Sequence, residues 1–506
     1  MSMEKVAPVA SQAQGTHYTM ADSSLQTDST NLIVAHHAIE RIGMGRYQWQ
    51  LLVTCGFGFL VDQMLLVSIS IITPNTAKEF GPAHATLLSA SLYAGLLVGA
   101  ILYGVAADYM GRKLVWQLSI YGVSVITMLS ASATSWTAVN VWMTLNGLFA
   151  GGNLAIDLTI LAEALPRKWT FLLTGLAAVW GLGNAITGLI AWPLVDSFCC
   201  PNGATPETCT RAENMGWRYL DIILGGLCLI MAIVRSLVLG MDESPKWLVT
   251  TGKLEEAVKV INAISAKNKS DYVVDIDMFS TTPVQNNSKN NWLYQLGTVK
   301  HLFFGLKQVR LIICLVLLWA LVGIAYPLYT VFLSYYLEAH GANLGDGSNY
   351  QTYRDWAISS VVGIFGPVLS AYLVRVPFLG HRWSLTITGC ICAVFAGAFT
   401  SVKTEGQNIG FSCMINFWLN ALYAIIYAYT PTVFKTEHRA IACGLLLACG
   451  RLTSLSSPFI ATYVDVTSPV PLWISCAFYV AIGIIALALP FEPSKLNDLS
   501  TEEQLG

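Results

Sequence analysis

The sequence predicts an all-α membrane protein in which twelve transmembrane helices form two six-helix bundles. Three observations predict it. The 506 residues are 54% hydrophobic and only 11% charged, a balance that would leave a soluble domain of this length with extensive apolar surface in water. Twelve apolar segments are long enough, or nearly so, to cross about 30 Å of hydrocarbon. A polar stretch at 241–306, rich in Lys, Asn, Ser and Asp, divides them six and six.

The spans read, in order, as 48–72, 86–107, 115–133, 139–163, 170–193, 218–240, 309–333, 353–375, 383–401, 409–430, 440–463 and 470–489. They give five regions: a disordered cytosolic tail at 1–46, an N-terminal bundle at 47–240, a linker at 241–306, a C-terminal bundle at 307–490 and a cytosolic tail at 491–506. The first 40 residues lack the cationic start and apolar core of a cleaved signal. Within the linker, Leu254, Val258, Ile261 and Ile264 share one edge, which predicts an amphipathic helix lying under the bundles.

Orientation follows from the basic residues. Arg41, Arg46, Arg112, Lys113, Arg167, Lys168, Arg375, Arg382, Lys435 and Arg439 all fall on one face of the membrane, and short loops rich in Lys and Arg stay in the cytosol. Both termini and the linker are therefore expected in the cytosol, with the plasma membrane as the location. Of the twelve cysteines, Cys199, Cys200 and Cys209 sit in the outward loop 194–217. A disulfide from Cys209 to Cys199 or Cys200 is expected there, with Cys200 and Cys209 taken as the candidate pair.

Other functions are excluded by what the chain lacks. A net charge of −2 and the absence of a basic run interleaved with aromatics give no reason to expect nucleic acid. No Walker loop is present, so ATP is not the energy source. No nucleophile–base set, metal cluster or cofactor loop appears, so no enzyme activity, metal or cofactor is expected. The remaining partners are a small-molecule solute, protons and the lipid bilayer, and the chain is expected to work as a monomer.

Two motifs repeat at matching points of the halves. Gly104-x3-Asp108-x2-Gly111-Arg112-Lys113, between spans 2 and 3, is echoed by Gly366 to Arg382 between spans 8 and 9. Glu163 to Arg167 after span 4 is echoed by Pro431 to Arg439 after span 10. Two bundles built alike, with a site at their interface, suit alternating access. This pattern resembles the major facilitator superfamily, in its sugar-porter-like branch, over about 45–490. The turn Gly104–Lys113 is similar to that family's signature turn, and Asp242 to Leu248 is similar to its P-E-S-P-R-W-L run. Gly43 to Gln50, Gly151 to Asp157, Asn214 to Tyr219 and Tyr429 to Pro431 resemble fungal members related to synaptic vesicle glycoproteins and to organic-anion or nicotinate transporters.

The resemblance implies a secondary active transporter and a cytosolic gate of Gly104, Asp108, Gly111, Arg112, Lys113, Glu163, Arg167 and Arg439. Departures carry information too. Span 7 reads Trp319 to Tyr329 where hexose porters have a glutamine-rich motif, so glucose is not the expected cargo. The second-half turn lacks the acid that Asp108 supplies in the first, which predicts a weaker C-terminal latch.

Polar residues deep in apolar spans are the candidates for transport chemistry, since an ionised group there must be paired or hydrated. Asp62 lies about 21 Å along span 1 at 1.5 Å per residue, and it is the first candidate for proton coupling. Asn146, Asn153 and Asp157 recur at helical spacing on one face of span 4; Asp157 is a second proton candidate and the asparagines are candidate substrate ligands. Arg451, deep in span 11, requires an acid or a bound anion, and Asp62 and Asp157 are both possible partners. Softer candidates for lining the substrate site are Trp180 and Asn184, Tyr326 and Tyr329, and Asn416, Asn420 and Tyr423, whose rings and amides suit a flat body with a few hydrogen-bonding groups. The expected function is proton-coupled transport of a small organic acid or aromatic anion. Export of a secondary metabolite by proton antiport is the alternative, with a non-transporting sensor third.

Overall fold

A computed structural model describes residues 20–201, 204–240, 242–280, 305–339, 349–434, 436–463 and 470–493. The chain is nearly all helix and has the twelve-span, two-bundle architecture. Span 1 is α2 (Arg46–Phe80), preceded by a helix α1 (Met20–Ile42). Spans 2 and 3 are α3 (Leu87–Met110) and α4 (Arg112–Ser130). Span 4 is broken at Gly151 and Gly152 into α5 (Trp136–Ala150) and α6 (Asn153–Ala164), and span 5 comprises α7 (Phe171–Leu176) and α8 (Ala178–Phe198). Span 6 is α9 (Gly216–Ile233), which widens into a π-helical turn at Val234–Leu239.

The linker supplies α10 (Pro245–Thr250) and α11 (Leu254–Asn268). The second bundle consists of α12 (Leu306–Ala339), α13 (Asn349–Gly363) with α14 (Phe365–Leu373), α15 (Gly380–Phe399), α16 (Glu405–Thr432), α17 (Thr436–Tyr463) and α18 (Val470–Leu487). Ten candidate spans among the described residues are long and apolar enough to cross a membrane unaided. The other two are the broken span 4 and the short α18.

Helix α3 packs on α5 through glycines at four-residue intervals. A methyl group on Gly95 or Gly99 would strike the backbone of Thr144 or Leu148, and one on Gly147 or Gly151 would strike Leu92 or Leu96. The two backbones therefore touch directly, as helices in lipid do when small residues line the contact. One end of the N-terminal bundle is closed by charge. Glu79, the last residue but one of α2, accepts from Arg218 at 2.8 and 2.7 Å, from Asn214 at 3.2 Å and from Trp217 at 3.3 Å. These three residues belong to the Asn214–Tyr219 run. Beside them Cys200 and Cys209 form a disulfide with Cα atoms 5.9 Å apart, and Lys78 donates to the Cys200 carbonyl at 2.9 Å.

One difference from the sequence expectation concerns the start of the chain. Residues 20–42, expected within a disordered tail, form α1, which packs on α10 and α11. Leu32, Ala35, Ala38, Ile39 and Ile42 are buried on one helical face. Asn31 exchanges two hydrogen bonds with the Ser280 backbone, at 3.2 and 2.8 Å. A segment read as too polar to bury a core alone is ordered because the linker offers it an apolar partner. Helix α11 is amphipathic as expected, with Ile261 and Ile264 buried.

Candidate functional site

Asp62 and Arg451 meet between the bundles. Asp62 lies on α2 and is 2% exposed, and its two carboxylate oxygens accept from Arg451 Nη2 of α17 at 3.4 and 3.5 Å. Among ion pairs between described residues, this is the one that crosses from one bundle to the other. Beside it lies a cavity of about 30 Å³, room for little more than a water molecule, lined by Trp319, Tyr423, Tyr427, Gly450, Arg451 and Ser454 among others.

The cavity wall is aromatic. Trp180 stands edge-on to Tyr427 at 4.7 Å and to Tyr423 at 5.8 Å, Trp319 is edge-on to Tyr427 at 4.6 Å, and Tyr326 is edge-on to Tyr423 at 5.6 Å. These rings come from both bundles. Two of them are anchored: Trp319 Nε1 donates to Thr430 Oγ1 at 3.1 Å, and the Tyr423 hydroxyl donates to the Val322 carbonyl at 3.3 Å. Trp319, Tyr423 and Tyr427 give the cavity apolar ring surface, and the Arg451 guanidinium beside them supplies charge.

The polar face of span 4 is placed otherwise. Asn146 accepts from Thr127 at 3.1 Å, Asn153 donates to the Gly58 carbonyl at 3.3 Å, and Asp157 is bonded to Arg235 and to Trp116 Nε1, the latter at 2.7 Å. All of these partners belong to the N-terminal bundle. Arg235 lies in the π-helical turn of span 6, fully buried, with its guanidinium carbon 3.5 Å from the centroid of the Trp116 ring. A methyl group on Gly58 would collide with the Asp157 carboxylate, so α2 and α6 approach closely around this acid. Arg235 escaped the sequence reading. Its signal was a lone arginine inside an apolar run, at a depth matching Asp157.

The remaining candidates are scattered. Asn184 is buried on α8, whereas Asn416 and Asn420 lie against Gly363 within the C-terminal bundle. The side chains of Asp108, Arg167, Tyr329 and Arg439 lie outside the described residues. In the signature turn, Gly111 adopts φ +96°, and the carboxylate of Glu243 caps α4 by accepting from the amides of Arg112 at 3.1 Å and Lys113 at 3.2 Å. Arg112 also pairs with Glu163, which accepts from Ser244 at 2.7 Å. Gly104 is half-buried with open space around it.

The second-half turn has its acid after all, delivered from a distance. Glu492, beyond α18, accepts from the His381 amide at 2.7 Å, from His381 Nδ1 at 3.0 Å and from the Arg382 amide at 3.3 Å, capping α15 as Glu243 caps α4. Burial alone would raise the Glu492 carboxyl, but these hydrogen bonds hold it below the ordinary carboxylate range. Its stabilisation is thus present at neutral pH and lost as pH falls through the depressed value. The stability gap between the wild type and Glu492→Gln should be full near pH 7 and close below about pH 4. Thermal unfolding in detergent across that range checks it, and a constant gap would refute the assignment.

Residues 52–415 match the sequence model of the Major Facilitator Superfamily. The chain is 34% identical to the major facilitator-type transporter hxnZ of Emericella nidulans over 89% of this chain and 85% of that protein. It is also 34% identical to MFS siderochrome iron transporter 1 of Ceriporiopsis subvermispora, over 90% and 89% of the two chains. Its fold is similar to that of the E. coli xylose transporter XylE in a partially occluded inward-open conformation, with a TM-score of 0.63, 15% identity and coverage of 87% and 96%.

Proposed function

This chain belongs to the Major Facilitator Superfamily and is a multi-pass membrane transporter of small molecules, and we propose that its cargo is a small organic acid or aromatic anion moved by proton-coupled alternating access. The observation carrying this reading is that Arg451 both pairs with Asp62 and lines the central cavity. A carboxylate entering the cavity competes with Asp62 for the same guanidinium. Protonating Asp62 removes the competitor, so proton and anion bind together, and release of one favours release of the other. The rings of Trp180, Trp319 and Tyr427 supply apolar faces and edges for the body of the solute.

Asp62 is the proposed coupling site in preference to Asp157, whose charge is met by Arg235 within one bundle. A pair that crosses the bundles changes its geometry when they rock; a pair inside one bundle need not. The cations at alternate turns support cytosolic termini. The Cys200–Cys209 disulfide in the opposite loop suits an oxidising exterior and hence the plasma membrane.

Uptake and efflux of a panel of organic acids in proteoliposomes with an imposed pH gradient tests this reading. Accumulation of an acid that follows the inward proton gradient is expected, and Arg451→Lys should weaken it by about tenfold or more, because a planar, multi-donor guanidinium is replaced by a compact ammonium. Export against the gradient would favour antiport. Transport of neutral solutes alone, or equal affinity in both proteins, would remove the anion assignment.

A further inference from the structure

We propose that the cytosolic mouth is held shut across the two bundles by Arg375 lying on the ring of Phe171. Arg375 follows α14 at the cytosolic end of span 8, and Phe171 opens α7 at the cytosolic start of span 5. The guanidinium carbon is 4.4 Å from the ring centroid. Arg375 is exposed and forms no ion pair with a described residue, and its guanidinium lies over the Phe171 ring. One turn further along, a methyl group on Gly175 would sit 3.6 Å from Cβ of Ala371, which places α7 directly against α14.

The contact continues into the first bundle. Phe171 stacks on Trp169 at 5.9 Å, and Trp169 stands edge-on to Trp49 of α2 at 6.0 Å. Helix α2 carries Asp62, so one run of rings joins the mouth to the helix of the deep ion pair. The described ion pairs of the cytosolic turns, Arg112 with Glu163 and His381 with Glu492, each lie within one bundle and do not clamp the two together. Opening the mouth separates α7 from α14 and lifts Arg375 off Phe171. The second-half turn thus sets Arg375 against a ring in the other bundle.

This inference rests on alternating access and is independent of the cargo. The test uses the full-length chain carrying Ser454→Cys, a thiol in the cavity wall, in inside-out vesicles. Alkylation at that position by a membrane-impermeant maleimide is followed by peptide mass spectrometry, which separates it from the native cysteines. Phe171→Leu and Arg375→Gln should each raise the labelling rate by about two- to fivefold, the span expected for one exposed cation–ring contact. The double variant should go no higher than either single one, and Phe171→Trp, which keeps a π face, should match the parent. Unchanged labelling in both single variants overturns the gate, as does an additive double variant.

Hydrogen exchange on Phe171→Leu and Arg375→Gln without the reporter gives a second measurement. Faster exchange confined to residues 171–176 and 365–373 supports the gate. Unchanged exchange there, or an increase spread over both bundles, overturns it. No solute is needed, so a failure here leaves the cargo reading standing, and failure of the acid panel leaves this one.

Discussion

Replacing Asp62 by asparagine should abolish gradient-driven accumulation while solute exchange persists. The carboxylate is 2% exposed and bonded to Arg451 across the bundles, and asparagine keeps its shape without a site for the coupling proton. Exchange needs only the return of a loaded carrier, so it survives loss of the proton site; net accumulation does not. Breaking a fully buried pair by removing one partner costs about 3–5 kcal/mol, but Arg451 faces the cavity with its side chain 15% exposed, so this loss should be smaller. Asp62→Asn combined with Arg451→Gln should restore stability without restoring transport. Accumulation that keeps its pH dependence in Asp62→Asn would rule the residue out as the coupling site.

Arg235→Gln should be the most damaging single change to stability. Both Arg235 and Asp157 have fully buried side chains, so the variant strands a carboxylate among apolar helices and removes a cation stacked on Trp116. The expected loss is about 3–5 kcal/mol, seen as a large drop in the unfolding midpoint in detergent. Arg235→Gln with Asp157→Asn should recover most of it, because two neutral amides can bond to each other. A double variant no more stable than Arg235→Gln would mean that packing on Trp116, and not charge balance, is what Arg235 provides.

The contrast between these two acids shows what could be read from the chain. Asp62 and Arg451 were both legible as deep ionisable residues, because depth is a matter of counting along a span. Which acid Arg451 meets, Asp62 or Asp157, was not legible, since Asp62 stands 389 positions away and on the other bundle. The spacing of Asn146, Asn153 and Asp157 predicted one shared helical face lining the cavity, yet spacing says nothing about which neighbour a face meets. Here the neighbours are Thr127, Gly58, Trp116 and Arg235 of the same bundle, and the Gly151–Gly152 break further separates Asn146 from the other two.

The aromatic cluster was half legible. Trp180, Tyr326 and Tyr423 stood out as rings at helical spacing, while Trp319 looked like an ordinary departure from a sugar motif until its edge was found against Tyr427. The start of the chain went the other way: residues 20–42 carry too few apolar groups to fold alone, and the sequence offered no sign that α10 and α11 would cover them.

By itself the sequence determined the membrane architecture, the six-and-six division and the two motif-bearing turns, and it singled out Asp62 and Arg451 as candidates. Each of these follows from local composition, hydrophobic length and position along a span. Only the tertiary structure decided that Asp62 answers to Arg451 and Asp157 to Arg235, that Glu492 completes the second turn and that Arg375 rests on Phe171. Such pairings depend on which helices become neighbours, and that is set by packing among segments far apart in the chain.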